Sequence, residues 1–211
     1  LAPPPAPRGG RVHDGFYLRL GLGFGGVWGS ANEPDADDED RVDFNGIGAF
    51  GELAMGGTVA PGLVIGGGSY SAIIPAPTYE RVDDGVSVTG GGVTAGLLGP
   101  MLDWYWDPTN GFHAQGALGI STVAAAEGED ESTTIGGREV TLSMPGDDYA
   151  GTGFGLMLGV GYETWIGDEW SFGGLLRLVY LSAEISSTED DDDKLDVHGF
   201  TLGALATLTY H

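Results

Sequence analysis

The sequence has no cysteine among its 211 residues, and it has few basic residues. The absence of cysteine excludes disulfides, thiolate metal sites and cysteine nucleophiles. Eight Lys and Arg residues stand against 31 Asp and Glu residues, which gives a formal net charge of -23. Because such a charge repels phosphate backbones, nucleic acid is excluded as a partner.

Long apolar runs are also missing. Although 41% of the residues are apolar, no run approaches the roughly 20 residues that a membrane-spanning helix needs. The 40 glycines do not follow the spacing of collagen. Each of them would cost about 1 kcal/mol relative to alanine inside a helix. The composition therefore predicts one compact all-β domain with a substantial core.

The chain divides at residue 15. Residues 1–14 are rich in Pro, Ala and Gly, and we expect them to form a flexible or extended leader without a core of its own. Residues 15–211 form the predicted domain. From Phe16 to Trp28 large apolar residues alternate with Gly, polar and smaller residues, which is the period of a β-strand.

This alternation recurs along the chain and predicts eight long strands. The less regular stretches 63–74 and 86–106 are assigned as strands by their length and position. Short turns at 59–62, 107–111 and 166–169 contain the Pro, Gly, Asn and Asp that tight turns require. The other four links are longer and hold 23 of the 31 acidic residues; they cover residues 31–43, 75–85, 126–149 and 185–196.

Alternating short and long links between eight strands indicate an antiparallel up-and-down meander that can close into a barrel. One face of the strands has Phe, Leu, Tyr and Trp, whereas the other is expected to be mostly Gly, Ala, Ser and Thr. A narrow lumen holds the smaller face more readily, so the large apolar face is predicted to meet lipid. The predicted fold is an eight-stranded antiparallel transmembrane β-barrel with an aromatic girdle drawn from Phe16, Trp28, Trp104, Trp106, Tyr162, Trp170, Phe172 and Tyr210.

Four segments carry a resemblance to a known family: GFYLRLGLGFGG at 15–26, WYWDPTNGFH at 104–113, WIGDEWSFG at 165–173 and TLGALATLTYH at 201–211. With these segments the chain resembles the small eight-stranded outer-membrane barrels of the OmpA/OmpX-like superfamily. The last segment departs from the family pattern, because His211 follows the aromatic Tyr210. The resemblance implies a Gram-negative outer membrane, with long loops outside and short turns in the periplasm.

Four charged residues fall on the predicted inner face near mid-strand: Arg19, Glu52, Glu163 and Arg177. A cation that faces lipid at the midplane costs roughly 2–4 kcal/mol, so these side chains are expected inside the barrel. We predict that they form a structural ion-pair network, and a gate or proton path is the alternative. His113 and Gln115 lie on the same face, and we expect them to join the hydrogen bonds; no metal site and no cofactor is predicted.

Two further patterns bear on activity. GLGFGG at 21–26 matches a nucleotide-binding motif, but it lies inside a predicted strand and does not open a helix. Ser182, Glu184 and His198 could meet on the outer face of the last hairpin, which resembles the site of lipid A deacylases. The His-x-Ser motif of that family is absent, so a rim-located lipid-modifying hydrolase stays an alternative and no catalytic residue is predicted.

The acidic runs are expected in solvated outer loops. Clustered carboxylates suit hard divalent cations, so weak cation binding is the functional alternative for Asp35, Asp37, Asp38, Glu39, Asp40, Asp190, Asp191, Asp192 and Asp193. The expected function is a non-enzymatic barrel, either structural or the anchor of an assembly or surface-recognition module. A narrow solute channel is an alternative. Expected partners are membrane lipid, lipopolysaccharide, divalent cations and a protein bound at the loops or the periplasmic side.

Overall fold

The computed structural model describes residues 11–32, 41–81, 87–126, 131–135, 138–142, 149–187 and 194–211. All regular structure in these ranges is strand. None of the described segments forms a helix with the length and apolar character needed to span a membrane.

The described ranges contain twelve strands, of which eight are 12 to 19 residues long. Four are short and lie in the long links. In chain order the strands are β1 (Phe16–Asn32), β2 (Val42–Ala60), β3 (Leu63–Ile74), β4 (Thr78–Arg81), β5 (Ser87–Thr89), β6 (Val93–Tyr105), β7 (Phe112–Ala125), β8 (Glu131–Ile135), β9 (Arg138–Leu142), β10 (Tyr149–Trp165), β11 (Trp170–Ser187) and β12 (Lys194–Tyr210).

The eight long strands form one closed antiparallel ring. Each pairs with its neighbours in the order β1, β12, β11, β10, β7, β6, β3, β2, and β1 pairs again with β2. The seam between the chain ends runs from Leu18 opposite Tyr210 to Asn32 opposite Asp196. The predicted all-β, eight-stranded up-and-down barrel is therefore confirmed.

The two faces of the ring separate as the alternation predicts. On β1, Leu22 and Phe24 are 77% and 70% exposed, whereas Tyr17 and Arg19 are fully buried. The other long strands repeat this division, and thirty large apolar side chains in the described ranges are exposed. A surface of this kind is stable in lipid and not in water.

One predicted strand is wrong in its extent. The stretch 86–106 is not continuous, because the three glycines at 90–92 interrupt it and Gly91 has a positive φ of 46°. Only β6 belongs to the ring. β5 pairs instead with β4, which extends the edge of β2 beyond the end of β3. β8 and β9 form a separate hairpin in the next long link.

The short turns are built from the residues that tight turns need. Pro61 and Gly62 join β2 to β3, and Gly62 has a φ of 73°. A Cβ atom there would lie 2.4 Å from the backbone oxygen of Tyr105, so only glycine fits. Between β6 and β7, the Asp107 carboxylate accepts a 2.9 Å hydrogen bond from the backbone N–H of Thr109.

The lumen is filled more completely than expected. Beside the Gly, Ala, Ser and Thr residues predicted for the inner face, the buried residues include large side chains such as Phe50, Tyr70, Leu97 and Met157. Inward glycines supply the room for them. At Gly203 a Cβ atom would lie 2.8 Å from the ring of Phe50. Small and large inner residues therefore pack against each other across the barrel.

The predicted girdle aromatics face outward, and most of them lie at the short-turn end. The tilted rings of Trp104 and Trp106 have centroids 4.7 Å apart, and the ring centroids of Trp170 and Tyr210 are 5.2 Å apart. Trp28 lies towards the opposite end of β1. Aromatic rings of this amphipathic type prefer the membrane–water boundary, which places a boundary near the short turns.

The closed ring makes a prediction about stability in detergent. We expect the purified protein to show β-sheet circular dichroism and to migrate differently on gels before and after boiling. The reason is that a ring without free edges resists unfolding by detergent alone. A helical spectrum, or identical migration of boiled and unboiled samples, would contradict the fold.

Candidate functional site in the barrel lumen

A buried charged cluster occupies the lumen near the short-turn end, with Arg19 at its centre. The Arg19 guanidinium is fully buried, and its Nη2 lies 2.6 Å from Glu163 Oε1 and 2.9 Å from Asp103 Oδ2. Its Nε donates a 3.1 Å hydrogen bond to Thr209 Oγ1. β1, β6, β10 and β12 thus place their inward side chains around one cation.

Hydroxyl and imidazole groups satisfy the remaining oxygens of the two carboxylates. Tyr17 donates a 2.8 Å hydrogen bond to Asp103, and Tyr105 donates one of 3.2 Å to Glu163. His113 Nδ1 lies 2.8 Å from Asp103 Oδ1. We call Tyr17, Arg19, Asp103, Tyr105, His113 and Glu163 the Arg19 cluster. Buried charges of this kind need such partners to be tolerated.

Arg177 lies nearer the middle of the barrel and has separate partners. Its Nη1 lies 3.7 Å from Glu52 Oε2 and donates a 2.9 Å hydrogen bond to the Gly51 carbonyl. The guanidinium also lies over the rings of Phe50 and Tyr70, with centroids 5.5 and 5.7 Å away. Gln115 donates to Glu52 at 3.1 Å. The structure therefore arranges the four predicted charges as two pairs, Arg19 with Glu163 and Arg177 with Glu52.

Sequence reasoning missed Asp103, a fully buried carboxylate between the outward-facing Leu102 and Trp104. That alternation was the available signal, although the irregular pattern of 86–106 weakened it. With Asp103 included, the Arg19 cluster holds two carboxylates and one guanidinium. His113 belongs to this cluster, as its position on the inner face predicted.

His13 and His211 lie in the short-turn mouth of the barrel, below the Arg19 cluster, and we call these two residues the plug. His13 is fully buried, and its ring stacks on Tyr105 with centroids 3.7 Å apart. The His13 Nδ1 lies 3.0 Å from Nε2 of His211, which is itself only 7% exposed. Ser171 Oγ lies 3.2 Å from the same His211 nitrogen. Neither histidine was predicted, because neither belongs to an alternating strand.

The end of the predicted leader is part of this plug. The backbone N–H of Arg11 donates to the Asp168 carbonyl at 2.8 Å, and that of His13 donates to the Pro108 carbonyl at 2.9 Å. Residues 11–14 are thus attached to two short turns, and His13 packs inside the barrel mouth. Burial and the neighbouring His211 lower the pKa of His13 to about 3, so its imidazole is neutral at pH 7.

The three residues of the rim alternative come near one another but do not form a triad. Ser182 and His198 are direct partners across β11 and β12. However, His198 Nδ1 lies 3.4 Å from the Tyr180 hydroxyl, and Glu184 pairs with Lys194 at 2.8 Å. Among the described residues, no hydrogen bond connects the side chains of Ser182, Glu184 and His198.

Nine acidic residues make up the predicted cation-binding loops. All nine of their residues lie outside the described ranges: Asp35, Asp37, Asp38, Glu39, Asp40, Asp190, Asp191, Asp192 and Asp193. Weak cation binding by these loops therefore stays a prediction.

Among the described residues, large buried side chains pack closely around the two lumen arginines. In the described part of the chain, the gap beside Tyr70, Ser71 and Arg177 has room for about one water molecule. Buried side chains occupy the lumen on both sides of it. The buried carboxylates and imidazoles of the lumen are groups that can bind a cation.

Comparisons with solved structures identify the fold. The outer membrane protein OprG from Pseudomonas aeruginosa matches 95% of this chain and 99% of its own, with 10% identity and a TM-score of 0.50. The outer membrane protein AlkL, studied in lipid bilayers, matches 94% of this chain and 92% of its own, with 13% identity and a TM-score of 0.51. No protein-family model and no curated protein matches the sequence.

This chain has the fold of the small outer-membrane β-barrels. The resemblance to the OmpA/OmpX-like barrels is borne out at the level of fold. The expected location in a Gram-negative outer membrane agrees with that fold and with the exposed apolar surface.

The buried charges make a prediction about stability. Arg19→Glu and Arg177→Glu should both destabilise the barrel, because each leaves buried carboxylates without a cation. For Arg19 we expect a loss of about 3–5 kcal/mol in the free energy of unfolding. Denaturant unfolding of the protein in detergent or lipid vesicles measures the loss.

Arg41→Glu is the matched control. Arg41 lies in a link and pairs with Asp43 at 2.9 Å, with both side chains more than one-third exposed. An exposed pair contributes little, so we expect its loss to stay below about 1 kcal/mol. Three equal unfolding midpoints would show that the lumen charges do not stabilise the barrel.

Proposed function

We propose that this chain is a non-enzymatic outer-membrane barrel with a closed lumen, acting as a structural element or as the membrane anchor of an assembly or surface-recognition module. The occluded lumen is the observation that carries the proposal. Arg19, Tyr17 and Tyr105 cross it near one end, and Arg177, Phe50 and Tyr70 cross it near the middle, all of them buried.

A channel for small solutes is one alternative, and the interactions of these side chains argue against it. Arg19 has two carboxylate partners, and Arg177 is fixed by Glu52 and two backbone carbonyls. A solute would have to break several charge-assisted hydrogen bonds to pass either point. The plug of His13 and His211 adds a further obstruction at the mouth.

The hydrolase alternative is supported only by the proximity of Ser182 to His198. A serine nucleophile needs a base within hydrogen-bond reach and a third group that orients the base. His198 contacts Tyr180 instead, and the Glu184 carboxylate is engaged by Lys194. We therefore assign no catalytic role to these residues.

The partners that this function implies follow from the outer surface. Thirty exposed apolar side chains in the described ranges suit the acyl chains of membrane lipid. Lipopolysaccharide, divalent cations at the acidic loops and a protein bound at the loops or the periplasmic side complete the proposal. The loop segments supply 23 of the 31 acidic residues of the chain, which suits cation-mediated contacts.

A closed lumen predicts that the barrel does not conduct ions. Wild-type protein reconstituted in liposomes should leak ions no faster than protein-free liposomes do. A triple variant with Phe50→Ala, Arg19→Ala and Arg177→Ala removes large crossing side chains and should leak faster if it folds. Gel mobility of unboiled samples checks that each protein is folded in the vesicles. Discrete conductance steps from the wild-type protein would contradict the closed lumen.

The absence of an enzyme activity is tested separately. Incubation with labelled lipid A should leave the lipid unchanged, and Ser182→Ala should behave like the wild-type protein. Release of an acyl chain by the wild-type protein, lost in Ser182→Ala, would establish the hydrolase instead.

A further inference from the structure

Three side chains with metal-binding atoms converge at the short-turn mouth from separate parts of the chain. His13 comes from the leader, Glu163 from the end of β10, and His211 follows β12. All three are buried, and one donor atom from each lies within 4.8 Å of the other two. These three groups are far apart in the sequence, so the tertiary packing of the mouth brings them together.

Two of the separations between donor atoms are close to those in a metal centre. His13 Nδ1 lies 3.0 Å from His211 Nε2, and this nitrogen lies 3.4 Å from Glu163 Oε2. Tetrahedral zinc with bonds of about 2.0–2.1 Å places its donors about 3.3 Å apart. Two imidazoles and one carboxylate form a ligand set that zinc commonly uses in proteins.

Neighbouring groups hold the three donors in their present orientations. Arg19 and Thr209 bond to Glu163 Oε1 at 2.6 and 2.7 Å, which leaves Oε2 on the side of the histidines. The His13 ring is held between Tyr105 and Trp165, with centroids 3.7 and 4.8 Å away. Contacts of this kind orient metal ligands and are part of the design of metal sites.

The Arg19 cluster has an excess of one carboxylate over guanidinium groups, because Asp103 and Glu163 face a single Arg19. The histidines that face this charge are His13, His113 and His211. A bound cation would balance it.

We propose that His13, Glu163 and His211 bind a divalent transition-metal ion of the zinc class at the short-turn mouth. The hydroxyl of Ser171 lies 3.2 Å from His211 Nε2 and 2.6 Å from Glu163 Oε2, so it borders the same three side chains. The ion connects the leader to β10 and to the end of the closing strand. It therefore acts as a structural clip across the mouth of the barrel.

The leader gives the ion a route to the site. The His13 side chain packs in the mouth, and two backbone hydrogen bonds, donated by Arg11 and His13, attach the described part of the leader to the short turns. Few such bonds allow local opening without unfolding of the ring. Binding should then stabilise the closed mouth by mass action.

The test is zinc binding by protein prepared without a histidine tag and freed of metal with a chelator. Bound zinc is measured by elemental analysis after dialysis, with millimolar Mg²⁺ present to occupy the acidic loops. We expect one zinc ion per chain and a raised thermal midpoint. His13→Ala should weaken zinc affinity more than about 100-fold. Such a loss exceeds the loss caused by mutating a residue that only supports the metal ligands.

His198→Ala is the matched control, because His198 is exposed on the outer face of β12. It should bind zinc like the wild-type protein. His13 lies outside the strands, so His13→Ala tests the site without removing a residue of the ring, and unboiled gel mobility confirms folding. Absence of zinc binding by the wild-type protein, or equal binding by His13→Ala, would overturn the site.

Discussion

Pairing between β1 and β12 closes the sheet, and the remaining features depend on that closure. Once the ring is closed, the ladder hydrogen bonds along its strands have no free edge, as a membrane requires. Closure also creates two environments of opposite character. The outward side chains contact lipid, whereas the inward side chains share a narrow space in which each charge needs a partner.

The charged groups of the lumen obtain their partners in two ways. Arg177 relies on Glu52, on backbone carbonyls and on aromatic faces, so that pair carries no net charge. The Arg19 cluster instead has an excess carboxylate and lies against a plug that contains two histidines. The excess carboxylate beside two histidines suits the short-turn mouth to binding a cation. The side chains that fill the lumen keep the barrel closed to solutes.

The sequence predicts the faces of the strands well because the strand period is two whatever the partner strands are. Arg19, Glu52, Glu163 and Arg177 were placed inside on that basis. Their pairing depends on the registers of distant strands, which alternation does not specify. Asp103 was missed in an irregular stretch, and the break at 90–92 depends on glycine backbone conformation. His13 and His211 lie outside the alternating strands, so only tertiary packing brings them to Glu163.

The most direct test of the account is the environment of side chains on the outward and inward faces of the long strands. Spin labels at Leu22 and Leu118 should show high contact with oxygen dissolved in the lipid and low contact with a water-soluble nickel reagent. Labels at the inward positions Ala54 and Ala117 should show low contact with both. Equal access of the nickel reagent to Leu22, Leu118 and the inward positions would contradict a closed barrel with a lipid-facing apolar surface.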